Sequence, residues 1–107
     1  MTTEYERART FFDAKDYAGA ARLLAPLVEE APDNLAARLL LARAYYHSAQ
    51  LSRAETELRA VLDQDPVEAY AHLMLGRTLE RQSRPEAAQR HLRLWDAMTG
   101  DDGRDTP

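Results

Sequence analysis

The chain has 107 residues, 14 basic and 18 acidic, with a net charge of −4. The net negative charge argues against nucleic-acid binding, which needs a basic surface. The absence of cysteine excludes disulfides, thiol nucleophiles and thiolate metal sites. No run approaches the roughly 18 apolar residues of a membrane span, and the first residues show no basic-then-apolar signal. These features predict a single cytoplasmic domain that binds neither membrane nor nucleic acid.

The sequence matches itself at an offset of 34 residues, over three successive units. Three columns are identical in every unit: Ala20, Ala54 and Ala88; Leu24, Leu58 and Leu92; and Arg9, Arg43 and Arg77. Agreement of several columns at one offset is typical of a stacked repeat array. The period divides the chain into units 1–34, 35–68 and 69–102, with 103–107 expected to be a disordered tail.

Each unit is predicted to contain two helices. In the first unit, Asp16 is expected to cap the second helix, and 31–34 ends it. In the middle unit, apolar spacing predicts a helix over 36–49, and a capping box formed by Ser52 and Glu55 predicts the start of the next helix.

Short local motifs also predict the helix boundaries of the later units. Asp65-Pro66 ends the fourth helix, since proline cannot donate a backbone hydrogen bond. A second capping box is predicted over 83–86, with Pro85 in the first turn, and Gly100 is expected to end the sixth helix in a left-handed conformation.

The pattern resembles the tetratricopeptide repeat. The residues that carry the resemblance are small ones at Ala8, Ala42 and Gly76, aromatics at Phe11 and Tyr45, the Asp16-Tyr17 turn, the three alanines at 20, 54 and 88, and prolines at 32 and 66. The chain departs from the family where its frequent early tryptophan is replaced by Glu4, Arg38 and His72, and where Gly100 takes the place of a proline. The resemblance implies an all-α fold of three tandem helix-turn-helix repeats in a short right-handed superhelical solenoid.

In this family the first helices line a concave groove that binds peptides. The resemblance places these residues in the groove: Tyr5, Arg9, Phe12, Leu40, Arg43, Tyr46, His47, Tyr70, Met74, Arg77 and Arg81. Guanidinium groups bind carboxylates in a bidentate fork, and aromatic rings anchor peptide side chains. We therefore expect an adaptor or scaffold whose partner is a peptide with acidic groups or a free C-terminus.

Two alternatives remain for this groove. The three equivalent arginines can instead be solvated and paired locally, Arg9 with Asp13 for instance. An aromatic and arginine-rich face also suits RNA, which repeat proteins can read, although the acidic net charge opposes this. The chaperone-binding version of the family uses a set of five polar residues, and the matching positions here include Leu40 and Met74, which argues against that role.

No catalytic constellation, metal site or cofactor is expected, and the protein is predicted not to be an enzyme. The three histidines fall at unrelated places in their units. Glu68 and His72 are four residues apart, a spacing that more often gives a surface contact than a metal site.

The last helix offers a second hypothesis. It carries four large apolar residues with no following helix to cover them: Leu92, Leu94, Trp95 and Met98. Such a patch predicts a self-assembling module, a homo-oligomer formed through the C-terminal helix. The alternative is that Trp95 folds back over its own unit.

Overall fold

The computed structural model describes residues 3–100, which contain six α-helices and no β-strand. The helices are α1 (Glu4–Asp13), α2 (Tyr17–Glu30), α3 (Leu35–His47), α4 (Leu51–Gln64), α5 (Ala69–Arg81) and α6 (Pro85–Thr99). Consecutive helices pair as three hairpins, and the hairpins stack in chain order through α2 on α3 and α4 on α5. The result is an elongated body of 47 × 28 × 26 Å. It is the expected short right-handed solenoid of helix-turn-helix repeats.

The backbone follows the 34-residue period closely. The second helices begin at Tyr17, Leu51 and Pro85, and α3 and α5 begin at Leu35 and Ala69. The turn inside each hairpin contains one residue in the left-handed region, with φ of 66° at Lys15, 61° at Ala49 and 61° at Ser83. None of these is glycine, so the hairpin geometry imposes this conformation on three different side chains.

Two of the predicted helix boundaries are confirmed and two are wrong. The Asp16 cap is confirmed, because its carboxylate accepts from the backbone N–H of Gly19 at 2.9 Å. Gly100 is confirmed as the left-handed residue that ends α6, with φ of 69°. The capping box at Ser52 is wrong: Gln50, two residues earlier, takes the N-cap position, and α4 begins at Leu51 with no side-chain cap.

The predicted capping box over 83–86 is also wrong. Ser83 is the left-handed residue of its turn, and α6 starts after Arg84 with Pro85 as its first residue and no side-chain cap. The period explains both errors, since the structure starts each second helix at the position equivalent to Tyr17. A capping box does occur at the start of α1, where Thr3 and Glu6 exchange hydrogen bonds of 3.0 and 2.9 Å.

The repeated small residues bring the two helices of each hairpin together. Ala8, Ala20, Ala42 and Ala54 are completely buried. At Gly76 the approach is closer still, because an added Cβ would lie 2.5 Å from Cδ2 of Leu92. Fully buried leucines fill the remaining space at positions 24, 58, 75 and 79. Helix α3 separates two core clusters, with Leu41 in the first and Ala42 in the second.

The two turns between hairpins are closed by side chains of different kinds. The carbonyl of Pro32 accepts from Nε2 of Gln64 at 2.9 Å. The equivalent carbonyl, that of Pro66, accepts from Nε2 of His72, also at 2.9 Å.

None of the helices within residues 3–100 is long and apolar enough to cross a membrane. The predicted disordered tail, 103–107, lies outside the described residues.

Candidate functional site

Arg43 lies at the centre of an array of rings contributed by all three hairpins. Its guanidinium carbon is 4.7 Å from the ring centroid of Phe12 on α1 and 5.7 Å from that of Tyr70 on α5. Because α1, α3 and α5 are the first helices of their hairpins, equivalent residues on them share one face of the stack. Arg43 therefore connects the hairpins across that face.

The rings continue from α3 toward the first hairpin. Since Tyr46 and His47 follow Arg43 by three and four residues, they lie on the same helical stripe. The ring of His47 stacks on that of Tyr17, with centroids 4.7 Å apart and planes at 22°, and it meets Phe12 edge-on at 5.8 Å. We call the whole set the aromatic–arginine cluster: Phe12, Tyr17, Arg43, Tyr46, His47, Tyr70 and Arg81.

Arg81 closes the cluster on the side of the third hairpin. Its guanidinium carbon lies 4.6 Å from the ring centroid of Tyr46, and Nη1 donates to the carbonyl oxygen of Tyr46 at 2.8 Å. The hydrogen bond fixes a long side chain over a ring, which is the arrangement that favours a cation–π contact.

Positive charge in the cluster is left uncompensated. Neither Arg43 nor Arg81 forms an ion pair with a carboxylate of residues 3–100. The ion pairs in this part of the chain are formed by other arginines. Nε of Arg43 is buried without a hydrogen-bond partner, and an unsatisfied buried donor is costly. Partial burial, then the charges of Arg43 and Arg81, lower the pKa of His47. That ring is therefore neutral at pH 7, and the two arginines carry the charge.

The three equivalent arginines do not form a uniform ladder. Only Arg43 enters the cluster. Arg77 is engaged by Glu80 of its own helix at 3.1 Å. Arg9 is exposed, and the described residues contain no Arg9–Asp13 ion pair, so the local pairing considered for it does not form. Equivalent positions thus have different surroundings, because the neighbouring side chains differ between units.

Two other residues expected in the groove belong to the interior, and a third is half-buried. Leu40 and Met74 are only 3% and 7% exposed and form part of the two core clusters, so placing them in a binding surface was wrong. Tyr5 is half-buried against the first core cluster.

Sequence reasoning missed Tyr17. It belongs to a second helix, whereas only first helices were expected to line the groove. Its position directly after the Asp16 cap was the available signal, since a large ring at the hairpin turn can reach the end of the next first helix. His47 occupies that end.

It also missed a histidine pair. His72 and His91 were treated as unrelated, yet their Nδ1 atoms are 3.0 Å apart, and both side chains are buried. The expected surface contact between Glu68 and His72 is wrong, because His72 points inward to His91 and to the carbonyl of Pro66. Within residues 3–100 no group of three or more His, Cys, Asp or Glu side chains could hold a metal ion.

The apolar residues of α6 divide into two pairs. Leu94 and Met98 are 36% and 38% exposed and lie one helical turn apart. Leu92 is half-buried against Gly76, and Trp95 is half-buried as well. The exposed strip is therefore narrower than the four residues that the sequence suggested.

A stack of three antiparallel helix hairpins with a shared first-helix face defines a helical-repeat interaction module. The family model for the tetratricopeptide repeat matches residues 11–77, and the chain belongs to that family. Its members are protein-interaction modules. No curated protein matches the sequence.

Solved structures support the same fold. YrrB, described as a tetratricopeptide-repeat protein with an unusual peptide-binding site, superposes with a TM-score of 0.88 at 22% identity, over 95% of this chain and 54% of its own. MamA from Desulfovibrio magneticus gives 0.83 at 26% identity, over 92% of this chain and 56% of its own. The chain thus spans little more than half the length of these structures.

Proposed function

We propose that the protein is a non-catalytic cytoplasmic adaptor that binds an extended peptide with an acidic group across the aromatic–arginine cluster. One observation supports this most directly. Arg43 spans rings from the first and third hairpins with no carboxylate partner among residues 3–100. A guanidinium held in place by two rings needs little further ordering when it binds an anion.

The cluster suits a peptide carboxylate, from an acidic side chain or a C-terminus. The terminal nitrogens of Arg43 and Arg81 would donate to its oxygens, because charge-assisted hydrogen bonds are the strong ones available on such a face. The rings of Phe12, Tyr46 and Tyr70 would pack on apolar side chains of the same peptide, as aromatic anchors do in other interfaces. A basic ligand is disfavoured, since both charges at the cluster are positive.

Selection from a library of ten-residue peptides, followed by fluorescence anisotropy, tests the proposal. Bound sequences should contain Glu, Asp or a free carboxyl terminus, and replacing that group by its amide should weaken binding about tenfold. Arg43→Met should have a similar effect. Arg22→Met is the matched control, because Arg22 is exposed on α2 and lies outside the cluster. Peptides that bind the Arg43→Met variant unchanged would contradict the proposal.

A second candidate function, self-assembly through α6, is favoured by the exposed strip of Leu94 and Met98. Head-to-tail stacking of copies is disfavoured by the outer face of α1. Arg7 and Thr10 of α1 and the N-cap residue Thr3 are polar and exposed. The equivalent residues of the second unit, Ala37, Leu41 and Ala44, are buried. Assembly would then pair α6 with α6 in a twofold dimer. Light scattering should show a dimer that Leu94→Glu converts to a monomer, and a wild-type monomer at high concentration excludes it.

A further inference from the structure

The buried pair of His72 and His91 has one arrangement of protons when both rings are neutral. A carbonyl oxygen only accepts, so Nε2 of His72 donates to Pro66 across 2.9 Å. Nδ1 of His72 is then an acceptor, and the 3.0 Å contact requires Nδ1 of His91 to donate. The neutral His91 ring is left with a lone pair on Nε2.

That lone pair has no partner within the described part of the chain. Among residues 3–100, the buried side-chain nitrogens and oxygens without a hydrogen bond are Nε of Arg38 and Nε of Arg43. Nε2 of His91 is not one of them, so it retains access to solvent although the residue as a whole is only 6% exposed. It is an acceptor at the wall of a cavity.

Two adjoining cavities, about 350 and 330 Å³ in volume, share Arg59, Arg90 and His91. Together we call them the histidine cavity. The lining residues that bear on its chemistry are Arg59, Asp63, His72, Glu86, Arg90 and His91. Most of them lie on the second helices α4 and α6, whereas the aromatic–arginine cluster lies mainly on first helices.

Two guanidinium groups of this cavity are available to a ligand. Arg59 engages Glu55 through Nε at 2.9 Å, which leaves its terminal nitrogens without a partner among residues 3–100. Arg90 forms no hydrogen bond or ion pair with any described residue. Both side chains are exposed at the cavity, so neither has to break an interaction of its terminal nitrogens to bind an anion.

The effects that act on the protonation of His91 all disfavour its charged form. Burial, then His72, Arg90 and Arg59, lower the pKa of His91 to about 4. Asp63 on α4 and Glu86 on α6 also line the cavity, but neither carboxylate offsets this effect. His91 therefore stays a neutral acceptor at pH 5 to 8, in a positive local field.

We propose that the histidine cavity binds a phosphoryl group, with Nε2 of His91 accepting from a protonated phosphoryl oxygen and with Arg59 and Arg90 donating to the other oxygens. Arg59 and Arg90 favour an anion, and the neutral acceptor Nε2 of His91 needs a donor. An anion that still carries a proton satisfies both. Inorganic phosphate carries one or two protons near neutral pH. A phosphate ester keeps its last proton below a pKa of about 6. Sulfate has none, so its oxygen would face the lone pair of His91.

Nuclear magnetic resonance of His91 and of the α6 amides, at pH 6.5 and constant ionic strength, tests this directly. Sodium phosphate should give saturable shifts, and sodium sulfate should bind about tenfold more weakly. Arg90→Ala should weaken phosphate binding about tenfold. Arg93→Ala, an exposed arginine of the same helix that does not line the cavity, should leave it unchanged.

His91→Leu separates the role of the acceptor from charge attraction. The equivalent residue of the first unit is Leu23, so leucine suits this position in the repeat, and circular dichroism verifies folding. The variant should bind phosphate and sulfate equally, by calorimetry. Equal binding of the two anions to the wild-type protein, or no saturation by 50 mM phosphate, would overturn the proposal.

A phosphoserine peptide distinguishes the two sources of the group. If the natural ligand is a modified protein, the peptide should bind more tightly than inorganic phosphate and increasingly so from pH 7.5 to 5.5, while its unphosphorylated form should not bind. If the ligand is free phosphate, the peptide should bind no better than the ion. Either result supports a phosphoryl site, whereas equal binding of the unphosphorylated peptide contradicts it.

Discussion

Replacing Arg43 by methionine should remove binding while leaving the fold almost as stable. The substitution removes two cation–π contacts, with Phe12 and Tyr70 at 4.7 and 5.7 Å, which together contribute about 1–2 kcal/mol at a partly exposed site. It also removes the buried, unpartnered Nε, whose desolvation costs about 1–3 kcal/mol. Methionine keeps an apolar stem of similar length against the rings.

These two effects oppose each other and are of similar size. We therefore expect the free energy of unfolding to change by no more than about 1 kcal/mol. Urea titration followed by circular dichroism gives this value, provided that the slope with denaturant is unchanged. The affinity for an acidic peptide should meanwhile fall about tenfold.

Arg77→Met is the matched control for this experiment. It removes an exposed ion pair with Glu80 at 3.1 Å, a type of interaction that contributes about 0–1 kcal/mol, and it leaves the cluster intact. Stability and peptide affinity should both be close to wild type. A loss of more than about 2 kcal/mol on Arg43→Met would show that Arg43 is a structural residue, and the reasoning for a binding role would fail.

Three further predictions concern stability. Leu58→Ala should cost about 2–5 kcal/mol in a urea titration, because Leu58 is completely buried; a loss below about 1 kcal/mol would mean that the core collapses around the gap. Ala49→Gly should raise the melting temperature by a few degrees, since φ of 61° strains alanine by about 1 kcal/mol, whereas Ala44→Gly in the neighbouring helix should lower it. Folding lowers the pKa of His91 from its ordinary value of 6.5 to about 4, so the unfolded chain binds its proton first as pH falls. Stability should decrease from pH 6.5 toward 5 by up to about 1.4 kcal/mol per unit, and His91→Leu should flatten this dependence.

The period explains why the architecture could be predicted from the sequence. Columns such as Leu24, Leu58 and Leu92 repeat the same packing requirement, and helix pairs follow from it without knowledge of distant contacts. The capping boxes failed for the opposite reason. Ser52 and Glu55 match a local motif, but the hairpin turn places the N-cap of α4 at Gln50, two residues earlier. Glu55 instead forms ion pairs with Arg59 and Arg84, both at 2.9 Å.

The candidate site was only partly predictable because it depends on neighbours from different units. Arg43 and Arg77 are equivalent in sequence, yet one contacts two rings and the other contacts Glu80. His72 and His91 are 19 residues apart on different helices, a separation that no helical spacing connects. Periodicity identifies which face a residue occupies, and the side chains that it meets there require the structure.

The two inter-hairpin turns show that repeat units with the same backbone are not interchangeable in their side chains. Gln64 donates to the carbonyl of Pro32, and the residue equivalent to Gln64 in the last unit is Met98, which has no proton to donate. His72 supplies the hydrogen bond to Pro66 instead. Position 72 is equivalent to Arg38. The substitution His72→Arg would therefore remove the side-chain donor to the carbonyl of Pro66, unless Met98→Gln supplied a new one. Positions 72 and 98 should therefore be energetically coupled. The substitution at position 72 alone should destabilise the protein more than the same substitution combined with Met98→Gln.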